Sequence, residues 1–306
     1  MRKAFIETLC QIANENENVW LLSGDLGYTV LEQFSTQFPN RYINTGVAEQ
    51  NMMGVAAGLS LSGKLVFTYS ISNFSVMRCL EQIRNDICYH NLNVNIIGVG
   101  GGFTYGSAGY SHHSVEDYGV LMPMPNMSIF APCDPVETKL CIENAYKFDG
   151  PSYIRLEKNC DYTVHNTIPN FSTGCPIQIQ EGKHATIVST GGIVYQAVKA
   201  AKSLNKSGID ITVISLPSIK PIDTMKLAKL LNTPIIITVE EHSEFGGISQ
   251  LVNKAIIQYK INVNEVVNLS ISDDIIYSVG SQDCIRRKLS MTSENIKETV
   301  IKLMNP

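Results

Sequence analysis

The sequence predicts an α/β protein of two doubly wound domains with mainly parallel sheets. Three observations predict it. The 306 residues suffice for roughly two domains of about 150 residues each. Runs rich in β-branched residues alternate with helix-periodic stretches through most of the chain, the pattern of parallel strands joined by covering helices. That alternation breaks once, in a polar stretch from Lys158 to Lys183 rich in Asn, Thr, Ser, Pro and Gly. The expected division is a first domain at 1–165, a linker at 166–182 and a second domain at 183–306.

The opening MRKAFIETLCQIANENENVW reads as an amphipathic helix. Phe5, Leu9 and Ile12 recur at helical spacing, and interrupting acids argue against a signal peptide. Strands are expected at Val19–Leu22, Lys64–Tyr69, Val94–Val99, Ser128–Phe130 and Ser152–Leu156, with helices at about 49–62, 75–89 and 134–147. The last of these starts with Asp134 as N-cap, Pro135 at the first helical position and Glu137 as capping-box acid. The linker holds one short extended piece, Pro176–Ile179. The second series places strands at Ala185–Ser189, Asp210–Leu216, Pro234–Val239 and Glu265–Ser270, with helices near 192–204, 221–231, 246–259 and 291–304.

Composition excludes several function classes. The net charge is −4 with mixed signs, so no nucleic-acid surface is expected. Arg286-Arg287-Lys288 reads as a solvated helix face. The longest apolar runs, such as Pro234–Val239, are too short to span a bilayer, so no membrane is expected either. Eight cysteines without CxxC spacing read as reduced thiols of a cytoplasmic protein, not as a disulfide framework or a zinc site.

Ligands of open α/β sheets bind at the carboxyl ends of strands. Asp25, the glycines Gly100-Gly101-Gly102, Arg155 and Glu240-Glu241-His242 all follow or end expected strands. The glycines do not form a dinucleotide fingerprint, and no P-loop is present. His112 and His113 occupy a polar, glycine-rich loop, where only one of two adjacent imidazoles can face a ligand. His113 and Asp117 have no third partner at metal-ligand spacing, so no metal ligand set is expected. No GxSxG elbow occurs, which directs any chemistry towards a cofactor. Glu49 begins an apolar helix rich in small residues. It is either an acid favoured by the helix dipole or a buried carboxylate awaiting a partner.

The segments GDLG (24–27), INTGVAEQNMMGVAAGLSLSG (43–63), NFSVMRCLEQIRND (73–86) and GYSHHSVED (109–117), in this order, resemble the pyrimidine-binding domain of transketolases. STGG (189–192), LPSIKPID (216–223) and VEEHSEFGG (239–247) resemble the transketolase C-terminal domain. The resemblance implies thiamine-diphosphate-dependent transfer of a two-carbon ketol unit between sugar phosphates. Its relatives include 1-deoxyxylulose-5-phosphate synthases and the β subunits of 2-oxoacid dehydrogenases, which stay as alternatives beside a non-catalytic scaffold that kept the fold. A full-length transketolase adds a domain with a Gly-Asp-Gly…Asn signature for a divalent metal. Gly24-Asp25-Leu26-Gly27 imitates that signature poorly. The resemblance therefore implies one subunit of a split enzyme, in an α2β2 assembly whose N-terminal, diphosphate-binding partner holds most of the contacts to Mg2+ or Ca2+.

The resemblance also implies roles. Glu49 would hydrogen-bond N1′ of the aminopyrimidine and so prepare the cofactor, a task suited to a carboxyl whose neutral form is favoured by desolvation. Phe74 would pack on the pyrimidine and Asp25 would lie near the cofactor and the subunit interface. His112 would face the substrate carbonyl and hydroxyls, with His113 beside it, and Arg155 would bind a sugar phosphate. Gly100 stands where many transketolases have histidine, Ala108 where they have aspartate and His113 where glutamine is common. These departures imply retained thiamine chemistry on a non-standard sugar. Glu240 and Glu241 read as solvated strand-end acids, and His242 as structural or at a subunit interface.

Overall fold

The computed structural model describes residues 1–158, 160 and 162–304. Asn159 and Asp161 of the polar stretch, and Asn305 and Pro306 at the end of the expected second domain, lie outside them. The first series supplies β1 (Val19–Ser23), β2 (Tyr42–Asn44), β3 (Leu65–Ile71), β4 (Val94–Val99), β5 (Ser128–Phe130) and β6 (Ser152–Leu156). The second supplies β7 (Ile177–Gln180), β8 (Ala185–Ser189), β9 (Ile211–Ser215), β10 (Ser218–Lys220), β11 (Ile235–Ser243) and β12 (Glu265–Ile271). They form a seven-stranded sheet ordered β10-β5-β6-β4-β3-β1-β2 and a five-stranded sheet ordered β12-β11-β8-β9-β7. Among the described strands, the edge strands β10 and β7 pair antiparallel, with β5 and β9 respectively, and the others pair parallel. The central β4 is buried at every residue, as a parallel strand covered on both faces must be.

The extended piece expected at Pro176–Ile179 occurs as β7 and forms the edge of the second sheet, and the chain then returns to the first sheet through β10. Both strands are short edge pieces. β10 has three residues between Pro217 and Pro221, too few to show a period. The helix expected over 75–89 is also broken, into Ser72–Val76, Leu80–Gln82 and a π-helical turn at Ile83–Cys88.

Phe5, Leu9, Phe67 and Tyr69 pack on one face of the first sheet. Met52, Met53, Val66 and Ile96 pack on the other, in a core that continues into Leu216, Leu227, Ile236 and Val252. The two sheets therefore share apolar contacts, and this fixes the end of β11 against the first domain. The helix Pro135–Lys147 starts as its sequence dictates: Glu137 N donates to Asp134 Oδ1 at 2.8 Å, and Cys133 N donates to Glu137 Oε2 at 2.7 Å. Among the described residues no helix is long and apolar enough to cross a membrane.

Candidate active site

Glu49 is the first residue of the helix Glu49–Leu61 and is 1 % exposed. Its carboxylate meets the carboxyl ends of β1 and β3. Ser70 Oγ donates to Oε1 at 3.0 Å, and Arg78 Nη1 donates to Oε2 at 2.7 Å. A Cβ on Gly24 would come within 3.0 Å of Ser70 Oγ and 3.5 Å of Glu49 Cγ. Gly24 thus lets the turn after β1 close tightly over the acid. A buried carboxylate requires such partners. The Arg78 side chain is 45 % exposed, so it can yield Glu49 to a ligand without opening the core.

Phe74 lies one helical turn before Arg78, whose guanidinium carbon is 4.8 Å from the ring centroid. The edge of Phe74 meets His112, with centroids 5.0 Å apart. Ser111 Oγ lies 3.0 Å from His112 Nδ1, and Asn73 Nδ2 donates to Ser111 O at 2.8 Å, pinning the histidine loop to the Phe74 helix. Asp25 sits beyond Gly24 on the exposed side, with φ 56°. Hydrogen bonds from Asn44 and Tyr28 hold its carboxyl below the ordinary range. Glu49, Phe74 and His112 are thus brought together, and Asp25 flanks them.

His113 and Arg155 are placed elsewhere. His113 is 1 % exposed and walled by Phe103, edge-on at 5.1 Å. Burial lowers its pKa, and its ring faces the interior, so it does not join a substrate surface. Arg155 is 5 % exposed. Its Nε is 3.0 Å from Asp117 Oδ2, and its Nη2 donates to Ser114 O at 2.6 Å and Glu241 O at 2.9 Å. In this structure Arg155 fastens the two domains. The reason is visible along β6, whose five residues are all buried.

The acids and histidine after β11's centre complete this junction, and they are not solvated. Glu240 accepts from Tyr118 Oη at 2.6 Å and from Ile248 N at 2.7 Å. His242 stacks on Tyr118 at 3.7 Å and accepts from Gly119 N at 3.1 Å. Glu241 receives Arg286 Nε at 2.5 Å, and Arg286 also reaches Glu157 at 3.5 Å. Arg286, read from sequence as solvated, is 4 % exposed, while Arg287 and Lys288 are exposed. Its burial follows from Glu241 and Glu157, partners distant in sequence.

Three further residues frame the site without having been marked by the sequence. Arg78 lies within the NFSVMRCLEQIRND segment, four residues after Phe74. Tyr105 covers Gly100, where an added Cβ would overlap its ring and where φ is +100°. The ring therefore fills space beside the carboxyl end of β4, with its centroid 6.0 Å from that of His112. Lys158 Nζ stands 4.6 Å from the Tyr105 centroid, and Arg2 Nε donates to Lys158 O at 2.8 Å. Lys158 thus places a cation over Tyr105, next to His112.

A buried carboxylate beside a half-exposed aromatic ring is the donor set an aminopyrimidine needs: one hydrogen-bonding acid and one apolar face. The residues present fit that group. The model of the transketolase pyrimidine-binding domain matches residues 1–160, and that of the transketolase C-terminal domain matches 176–296. A putative transketolase C-terminal section of Methanocaldococcus jannaschii is 34% identical over 307 residues, covering 99% of this chain and 96% of that protein. One of the apulose-4-phosphate transketolase subunits of Phocaeicola vulgatus is 37% identical over 254 residues, covering 82% of this chain and 81% of that one. Among solved structures, a split gene transketolase described as an inactive beta4 tetramer superposes with a TM-score of 0.86 at 34% identity, covering 98% of this chain and 96% of that chain.

Proposed function

The chain belongs to the transketolase family, and from that premise we propose that it is the pyrimidine-binding subunit of a split, thiamine-diphosphate-dependent transketolase. It transfers a two-carbon ketol unit between sugar phosphates. The carrying observation is Glu49, 1 % exposed at the strand ends and held between Ser70 and Arg78. The similarity to an apulose-4-phosphate transketolase supports a phosphorylated sugar of specialised carbohydrate metabolism, as do Gly100 and Ala108 in place of the usual polar residues.

Glu49 would hold the ring nitrogen of the aminopyrimidine and Phe74 its face. When bound, thiamine diphosphate supplies the nucleophilic carbon that attacks a ketose carbonyl. Glu49 keeps a proton at the ring nitrogen, with Ser70 fixing the orientation of its other oxygen. His112, braced by Phe74 and Ser111, hydrogen-bonds substrate oxygens. Lys158 faces the phosphate, and Tyr105 narrows the space left beside Gly100.

A partner subunit supplies the diphosphate contacts and the Mg2+ or Ca2+, in a cytoplasmic α2β2 assembly. Tyr28 and Val47, 70% and 72% exposed beside Asp25 and Glu49, support a covering surface there. The test is reconstitution with a partner carrying the Gly-Asp-Gly…Asn signature. The chain alone, given thiamine diphosphate and Mg2+, should show no ketol transfer, and the mixture should show it. Full activity of the isolated chain would overturn the split reading. Turnover of a 2-oxo acid and not a ketose phosphate would place the complex with the dehydrogenases.

A further inference from the structure

A second cluster lies away from the thiamine-binding region, where the connection between the sheets crosses the start of the helix Pro135–Lys147. Cys133 Sγ is 3.9 Å from His165 Nε2, and His165 Nε2 is 2.8 Å from Glu137 Oε1. These ligand atoms lie within 4.8 Å of one another. Cys133 and Glu137 are fully buried, and the His165 side chain is 7% exposed. Ser215, the last residue of β9, is also fully buried. Its Oγ has no hydrogen-bond partner of normal geometry among the described residues and faces the same thiol.

The four side chains converge on one small, buried space. One imidazole nitrogen faces both a carboxylate and a thiol. A single N–H there serves Glu137 and leaves Sγ at 3.9 Å, while Ser215 Oγ meets only the thiol. The backbone around the cluster is fixed independently. Asp134 Oδ2 accepts from Val164 N at 2.8 Å and His165 N at 3.0 Å, and Glu137 Oε2 accepts from Cys133 N at 2.7 Å. The helix cap therefore helps to pre-set the donor positions.

We propose that Cys133, Glu137 and His165, with Ser215 beside them, bind one divalent transition metal of the zinc class. Sulfur, imidazole nitrogen and carboxylate oxygen form a borderline-soft donor set that favours Zn2+ over Mg2+ or Ca2+. A thiolate and a carboxylate balance the dication. Coordination requires Cys133 to release its thiol proton to solvent, with no change of oxidation state. Ser215 Oγ, or a water held by it, takes the fourth position. Entry is along His165, the ligand nearest solvent. The ion joins the first domain, the connection and β9, so it clasps the two sheets. The proposal does not rest on the transketolase reading.

The test uses the full chain, stripped with a chelator and titrated with Co2+. The expected result is one equivalent bound, with a thiolate-to-cobalt charge-transfer absorption that Zn2+ displaces. Cys133→Ser should abolish this absorption. His165→Asn, whose fold is checked by its urea midpoint, should weaken binding by at least about tenfold, since even outer-shell changes at metal sites cost that much. No thiolate absorption in the wild-type chain would overturn the site. So would its survival in Cys133→Ser, or unchanged Co2+ affinity in a folded His165→Asn.

Discussion

Arg78 Nη1 lies 2.7 Å from Glu49 Oε2 and closes the one side of that acid left open by Ser70. The pair joins an acid that is 2 % exposed to a cation that is 45 % exposed, so one partner is fixed and the other can move. Glu49→Gln keeps the volume and the Ser70 contact but removes the proton-holding carboxyl. In the reconstituted complex it should lower kcat by about a hundredfold or more, within the range for a general acid, whereas a loss under about threefold would make Glu49 structural. The accompanying change in melting temperature should be small, because Arg78 can turn to water.

Gly119→Ala tests the packing of the domain junction. The added Cβ would lie 2.7 Å from His242 Cε1 and 3.2 Å from Phe245 O. The imidazole has little room to retreat, since Tyr118 is stacked on it at 3.7 Å and its Nδ1 lies 2.8 Å from Ser243 O. The substitution should cost about 1–3 kcal/mol, as overpacking does, read as a lower urea midpoint. Combining it with His242→Ala should recover part of the loss. Strict additivity of the two changes would mean that the clash is relieved elsewhere.

The sheet strands were legible because parallel β-strands buried on both faces read as continuous apolar runs. Val94–Val99 and Ser152–Leu156 occur with the bounds their sequence indicates. The cap at Asp134 was legible because its chemistry is local. Arg155 was not. Its position at a strand end is shared by buried fasteners and exposed ligands, and only the packing of β11 against β6 decides between them. Glu240 and Glu241 misled for the same reason, since their partners Tyr118 and Arg286 are 122 and 45 residues away. The Cys133, Glu137 and His165 group has no motif spacing, so it exists only in three dimensions.

His242 gives the junction a pH dependence. Burial pushes its pKa down to about 4 from 6.5. Asp117, Arg155, Glu116 and Glu240 surround it or its Tyr118 partner. Above about pH 6.5 the imidazole is neutral in both states, and its full contribution is present. As pH falls from 6.5 towards 4 the unfolded chain binds a proton that the folded chain refuses, so stability is lost, by up to roughly 3 kcal/mol. Glu240 and Glu157 have raised pKa values and act in the opposite sense, which is why the difference between wild type and His242→Gln is the quantity to measure. Urea midpoints at pH 7 and pH 5 should fall less for the variant than for the wild type. Equal falls would remove His242 from the account.

Lys158 and Arg155 make opposite predictions, and the pair decides where a substrate phosphate binds. Arg155→Met leaves Asp117 buried at 0 % exposure without its cation. Removing one partner of a buried pair costs about 3–5 kcal/mol, so this variant should show a large loss in urea midpoint. Its KM for a ketose phosphate, measured on whatever folds, should stay near the wild-type value. Lys158→Ala leaves no buried charge unpaired and should change stability little. It should raise KM for the phosphorylated substrate by about tenfold, the loss of one charge-assisted contact, with kcat and the KM for an unphosphorylated ketose nearly unchanged. The opposite pattern, a KM effect from Arg155 and none from Lys158, would require the junction to open during turnover. The bonds from Arg155 to Ser114 and Glu241 at 2.6 and 2.9 Å argue against that.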